Sequence, residues 1–217
     1  MKDKLSTHLC DITDKDAVNK LPQEVKNFHG NVDGLINNAG IIHPFKKVHK
    51  LEHATIVNVM NVNFYGTLHM IQAFLPLFEK RPKAHIINIS SMGGFMPIPG
   101  QTIYGASKAA VKLLTEGLYA ELKETHIKIT VVFPGAIGTE ISKNSGVEIK
   151  PPSTKETPKY KSLSPEGAAE IIITGIEKNK YRIRVGSDAK MLDRINRLMP
   201  EKGTNIVAKR MADLLED

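Results

Sequence analysis

The chain has 217 residues, of which 41% are hydrophobic and 24% charged, and it carries a formal net charge of +7. Such a length and composition belong to one globular domain with a sizeable core, and the default expectation is a soluble, cytoplasmic protein. The single cysteine, Cys10, excludes an internal disulfide and fits a reducing compartment, and no apolar run approaches the roughly 18 residues needed to span a bilayer.

Met1-Lys2-Asp3-Lys4 leads into no apolar segment of signal-peptide length. The lysines are scattered, with a mild cluster between Lys143 and Lys161 and no aromatic-interleaved basic strip, so nucleic acid is not the expected partner. A basic surface would equally suit a charged dinucleotide.

In chain order, Leu5 to Cys10 reads as a short strand, and Thr13 or Asp14 as the cap of a helix over Lys15–Phe28. Pro22 should shift or kink the start of that helix. Asn31–Ile36 reads as a second strand closing on Asn37-Asn38-Ala39-Gly40. Apolar positions from about Ala54 to Phe78 predict one long helix. The run His85-Ile86-Ile87-Asn88-Ile89 predicts a buried strand that delivers Ser90 and Ser91, and a helix opens near Tyr104 and continues to about Thr125. Lys128–Phe133 is a β-branched strand running into Pro134-Gly135. Residues 138–163, rich in Lys, Ser, Thr and Pro, read as a long loop. Pro165 after Ser164 starts a helix through Ile176, Arg182–Val185 is a last strand, and the tail from Lys190 has amphipathic helical character.

Apolar strands alternating with helices imply a parallel sheet covered on both faces, an α/β doubly wound fold. In such sheets ligands bind beyond the carboxyl ends of the strands. Asp11, Asn38, Ser91 and the Pro134-Gly135 turn all fall at such ends.

Tyr104 and Lys108 are four residues apart, on one helix face about a turn from each other. A free tyrosine ionises near pH ~10, and a fixed ammonium nearby favours the phenolate. A hydroxyl such as Ser91 could hold a substrate oxygen beside the phenol, coupling proton transfer to another bond change. Taken alone, such a pair is an ordinary helix feature, Asn37 and Asn38 are turn residues, and Pro134-Gly135 ends a strand. His43, His49, His53, His69 and His85 form no metal-ligand spacing.

Together, Asn37-Asn38-Ala39-Gly40, Ser91, Tyr104-x-x-x-Lys108 and Pro134-Gly135 resemble the short-chain dehydrogenase/reductase family of NAD(P)-dependent oxidoreductases. Ser91 and Tyr104 are thirteen residues apart, as is usual in that family, and Asn63 in Asn63-Phe64-Tyr65-Gly66 matches its fourth catalytic position. The resemblance runs from about Leu5 to Asp188 and implies a Rossmann-like sheet. It implies Tyr104 as acid/base, Lys108 as the group that lowers the tyrosine pKa and binds the nicotinamide ribose, Ser91 as the substrate-oxygen partner, and Asn63 as holder of a relay water. It further implies that Asp11 and Ile12 flank an adenine, that Asn38, Ala39 and Gly40 line the ribose side, and that Pro134, Gly135, Ile137 and Thr139 border the nicotinamide of NAD or NADP. Phe95, Met96, Pro97 and Ile98 beside Ser91 suggest a partly apolar pocket for a small carbonyl compound or secondary alcohol with some lipophilic body, and loop 138–163 is expected to close over it as a lid. By the resemblance, subunits pair as a homodimer or homotetramer through the helices at 54–78 and 104–125.

The family's glycine-rich turn, Thr-Gly-x-x-x-Gly-x-Gly, does not occur in these 217 residues. The sequence therefore reads as a single N-terminally truncated catalytic domain, with the pyrophosphate cradle and the second strand that selects NAD or NADP missing. Leu5–Cys10 would then either pair with the next strand or leave backbone groups unpaired. Three readings stay open: an active oxidoreductase whose start lies upstream, a truncated non-catalytic binding module, and a basic nucleic-acid-associated protein with a decayed fold.

Overall fold

The computed structural model describes residues 4–148 and 162–211. Its frame is a parallel sheet of four strands, β1 (Gly34–Asn37), β2 (Ala84–Ile89), β3 (Ile127–Pro134) and β4 (Arg182–Val185), in the order β1-β2-β3-β4. Register is carried by pairs such as Leu35 with Ile86, Ile86 with Ile129, and Val132 with Ile183. Because both faces of β2 and β3 are covered, these strands are nearly continuous apolar runs rather than alternating ones.

One face carries α1 (Lys15–His29), α2 (His53–Met60), α3 (Thr67–Phe78) and α4 (Thr102–Leu122). Phe74, Phe78 and Leu118 close there on Leu35, Ile86 and Ile129. The other face is covered by α6 (Pro165–Glu177), through Ala168 against Ile87, Val132 and Ile183. Helices α7 (Ser187–Leu198) and α8 (Pro200–Arg210) pack Leu192 and Val207 around Met96, over the loop that follows β2. The α/β doubly wound architecture expected from the sequence is present.

Local chemistry explains most boundaries. The Asp14 side chain accepts from the amides of Asp16 and Ala17, and Gly30, at φ 76°, closes α1. Pro22 does not end or delay this helix: it lies inside it, buried. The single helix expected over 54–78 is interrupted by one π-helical stretch, Asn61–Gly66, between α2 and α3. Such an insertion re-aims the side chains on it and recurs at functional sites. The second strand lies slightly later than expected, at Gly34–Asn37, and the tail is two helices.

The expected strand at Leu5–Cys10 is not formed. Leu9 is 108% exposed and β1 has no neighbour on its outer edge among the described residues. A lone extended segment gains no ladder, so residues 5–10 are held instead by side chains. Ser6 Oγ bonds the rings of His8 and His29, and His8 lies 3.4 Å from Glu24. Within the expected 138–163 loop, α5 (Ile141–Asn144) forms one short helical turn, while 149–161 lies outside the described residues.

Candidate active site

The carboxyl ends of β1, β2 and β3 converge on the first two turns of α4. β2 delivers Ser90 and Ser91 in adjacent positions, and their surroundings separate them. Ser90 Oγ donates to the Lys108 carbonyl at 2.7 Å, which ties β2 to α4. Ser91 caps the turn Met92–Gly94 by accepting from Gly93 N at 3.0 Å, and its hydroxyl lies near enough to Tyr104 to act on the phenol, both groups standing around Gly93. Of the two serines, Ser91 is thus the one that stands beside the phenol.

Lys108 lies one turn further along α4, 4% exposed. Its Nζ donates to the Ile89 carbonyl at 3.0 Å. Burial lowers its pKa from the ordinary 10.5 to about 8, so the ammonium is held at neutral pH with little margin. Burial also pushes the Tyr104 phenol up, with the Ser91 hydroxyl acting in the opposite direction. That direction is the reverse of the one predicted from the Tyr-x-x-x-Lys spacing. The reason is placement: the ammonium is engaged by Ile89 and faces Gly40, while desolvation governs the phenol.

Asn63 sits on the π-helical stretch, fully buried, and both ends of its amide are hydrogen-bonded. Oδ1 accepts from Ile41 N at 2.8 Å, and Nδ2 donates to Ile41 O and to Ser107 Oγ, both at 2.9 Å. The side chain therefore clamps the peptide after Asn38-Ala39-Gly40 onto α4. Gly40 is needed for closeness: a Cβ there would lie 3.0 Å from Lys108 Nζ and 3.4 Å from Asn63 Oδ1. A cradle that a methyl group would crowd, beside an ammonium with donors to spare, fits the ribose of a dinucleotide.

Other expected cofactor residues are placed with varying directness. Pro134 ends β3, and Gly135 N donates to Val185 O at 2.9 Å. A side chain at Gly135 would strike the Asp188 carboxylate, whose Oδ2 accepts from Ala136 N at 2.7 Å. Ile137 pairs with Leu163 in an isolated parallel bridge, closing the base of the 138–163 loop, and Thr139 N returns to Ile137 O. Asn38 and Ala39 follow β1 directly. Asp11 is fully exposed, and its carboxylate accepts from Thr13 N and Oγ1; the backbone bond from Thr13 holds it below its usual range. Ile12 packs on Gly66, where a Cβ would lie 2.6 Å from its Cδ1. These two stand apart from the Ser91–Tyr104–Lys108 group.

Asn37, read from the sequence as a turn residue, is instead the buried end of β1, and several further residues of this rim were not singled out from the sequence. Asn37 Nδ2 donates to Asn88 Oδ1, and Asn88 Nδ2 to Thr115 Oγ1, a buried chain linking β1, β2 and α4. An asparagine inside the run His85–Ile89 was a legible signal for it. Asp188, Ser145, His43 and Gln101 left no such signal. Among the described residues no three His, Cys, Asp or Glu side chains converge as a metal site would need.

Comparison with known proteins identifies the family and the fold. Residues 2–149 match the family model described as short chain dehydrogenase. The chain is 34% identical over 208 residues to the Mycobacterium tuberculosis protein called SadH, described as an oxidoreductase, covering 93% of this chain and 75% of that one. Among solved structures, a short chain dehydrogenase from Burkholderia cenocepacia J2315 in complex with NADP is similar at TM-score 0.74 and 26% identity, covering 93% of this chain and 76% of that one. ElxO with NADP bound is similar at TM-score 0.73 and 26% identity, covering 85% and 77% respectively. The chain belongs to the short-chain dehydrogenase/reductase family of NAD(P)-dependent oxidoreductases.

Proposed function

We propose that this protein interconverts a carbonyl compound and a secondary alcohol, with Tyr104 as the acid/base. The observation that carries the reading is the Ser91 hydroxyl standing beside the Tyr104 ring, around Gly93, with the buried Lys108 ammonium one turn away. When bound, NAD or NADP supplies or receives the hydride.

The chain's own part is placement and the proton. Ser91 holds the substrate oxygen, and Tyr104 gives that oxygen a proton in reduction or takes one from it in oxidation. A phenol raised by burial is protonated at neutral pH, which suits the reducing direction. Lys108 has donors beyond its bond to Ile89 and would hold the ribose hydroxyls across Gly40. Asn38, Ala39, Pro134, Gly135, Ile137 and Thr139 would border the same cofactor, with Asp11 and Ile12 toward its adenine. Asn63 secures the Gly40–Ile41 peptide and, through the π-helical stretch, would hold a relay water toward Lys108.

The loop over 138–163 would act as a lid: its described part is already tied to the rim by Ser145 Oγ accepting from Ile42 N at 3.0 Å. Exposed Val57, Tyr65, Leu113 and Tyr119 on the helices of one face support a homodimer or homotetramer, in the cytoplasm. The test is direct. The purified chain is titrated with NADH and NADPH by fluorescence, then assayed for oxidation of the bound cofactor with a panel of ketones and aldehydes. Saturable binding with turnover supports the reading, and binding of neither cofactor overturns it.

A further inference from the structure

Asp188 lies in the first turn of α7, where the helix N-terminus favours a carboxylate. That accounts for an acidic residue at this position and not for the course of its side chain. The carboxylate reaches back 52 positions, and Oδ2 accepts from Ala136 N at 2.7 Å. Two glycines make room for it. A Cβ at Gly135 would strike both carboxylate oxygens, and one at Gly186 would strike Oδ1. Gly186 also has φ 99°, a conformation that suits glycine and few other residues. The chain leaving β3 and the chain leaving β4 are thus both shaped around one carboxylate.

What it holds is the strap that joins β3 to the 138–163 loop. Gly135 N donates to Val185 O at 2.9 Å, and Ala136 O accepts from Leu163 N at 3.1 Å, beside the Ile137–Leu163 bridge. Those are main-chain bonds, which do not depend on residue type. The bond between them, from Ala136 N, goes to a charged side chain and is of the stronger kind. Gly135 N, Ala136 N and Ala136 O are therefore fixed in succession, and the middle bond hangs on Asp188. We propose that Asp188 is a positioning residue of the reaction: through Ala136 it sets the strap Pro134–Thr139, and through the strap it sets the nicotinamide. The inference rests on the proposed function, in which this strap borders the nicotinamide. A nicotinamide held loosely costs rate as well as affinity, because hydride transfer needs the reacting atoms in near-contact geometry.

Two measurements on the purified full chain test it. The first needs no cofactor and follows amide hydrogen exchange by NMR. Asp188→Ala should speed exchange at Ala136 about tenfold, while Ile87, in the core strand β2, keeps its rate. Asp188→Asn keeps an oxygen that accepts from Ala136 N and should restore most of the protection. The second is calorimetric titration with NADH, with NADPH, and with ADP-ribose with and without its 2′-phosphate, which lack the nicotinamide. Asp188→Ala should weaken the preferred dinucleotide about tenfold, ~1.4 kcal/mol, and leave the matching ADP-ribose unchanged. Asp188→Asn should again recover most of the loss. Gly135→Ala drives a methyl group into the carboxylate and should give the same selective loss, so the test survives an Asp188→Ala chain that does not fold. Exchange that rises equally at Ala136 and Ile87, an Asn variant as impaired as the Ala variant, or parallel weakening of dinucleotide and ADP-ribose would overturn the inference alone. A wild-type chain that binds neither dinucleotide overturns the proposed function itself, and this role with it.

Discussion

The Lys108 ammonium donates to the Ile89 carbonyl at 3.0 Å. This bond crosses from α4 to the end of β2 and holds a buried cation at the rim, facing Gly40. The charge is thus held against the cost of desolvation by a main-chain acceptor, and its remaining donors are directed by the fold rather than by a carboxylate partner.

That burial makes stability depend on pH. The Lys108 pKa falls from 10.5 to about 8 on folding, so between these values the unfolded chain binds more protons and stability rises with pH. The contribution spans up to about 3 kcal/mol. Urea denaturation from neutral pH to pH 10 should show wild type gaining on Lys108→Met across this window. Parallel curves for the two proteins would contradict the buried, charge-strained lysine.

Tyr104→Phe removes the proposed proton carrier and keeps the ring. Turnover should fall by about 10²–10⁴, the usual worth of a positioned acid/base, while NAD(P)H binding changes little. The check is a pair of measurements on one preparation, cofactor fluorescence and steady-state rate. Near-normal turnover would remove Tyr104 from the mechanism.

Gly40→Val places carbon where Lys108 Nζ and Asn63 Oδ1 now approach. Cofactor affinity should weaken about tenfold or more, ~1.4 kcal/mol, because the ammonium must retreat. Gly30→Ala is a useful contrast: it strains a positive-φ position at the end of α1 with nothing nearby to strike. It should lower thermal stability and leave cofactor affinity alone.

Asp193, 3% exposed, accepts from Arg182, Arg184 and Arg197 at 3.2, 3.0 and 3.1 Å. Burial alone would raise its pKa, but the Arg197 hydrogen bond and the charge of Arg182 hold it below its ordinary value. Its stabilising contribution is therefore present above the ordinary carboxyl range and is lost as pH falls through the depressed value. Asp193→Ala leaves the half-buried Arg182 short of its main partner and should cost about 3 kcal/mol, read from urea midpoints. A change within the noise would mean solvent already screens the cluster.

Much of this molecule was legible in one dimension. The apolar strands, the Tyr104–Lys108 spacing and the strand-end groups are properties of local sequence, because helical and extended periodicities place side chains without reference to anything distant. The Asp14 cap and the Arg182–Val185 strand followed for the same reason. What the sequence alone could not determine depends on partners far along the chain. Leu5–Cys10 has strand propensity, yet a strand exists only when another strand accepts its hydrogen bonds, and none stands beside it among the described residues. Asn63 stands out in the sequence only through the family resemblance, and it is the π-helical stretch that turns it onto Ile41 and Ser107. The direction of the Tyr104 shift reversed because desolvation is set by packing, not by spacing. His43 and Gln101 are separated by 58 positions. Only the tertiary structure joins them, with Gln101 donating to the His43 carbonyl, and buries both, since burial is a property of the folded chain.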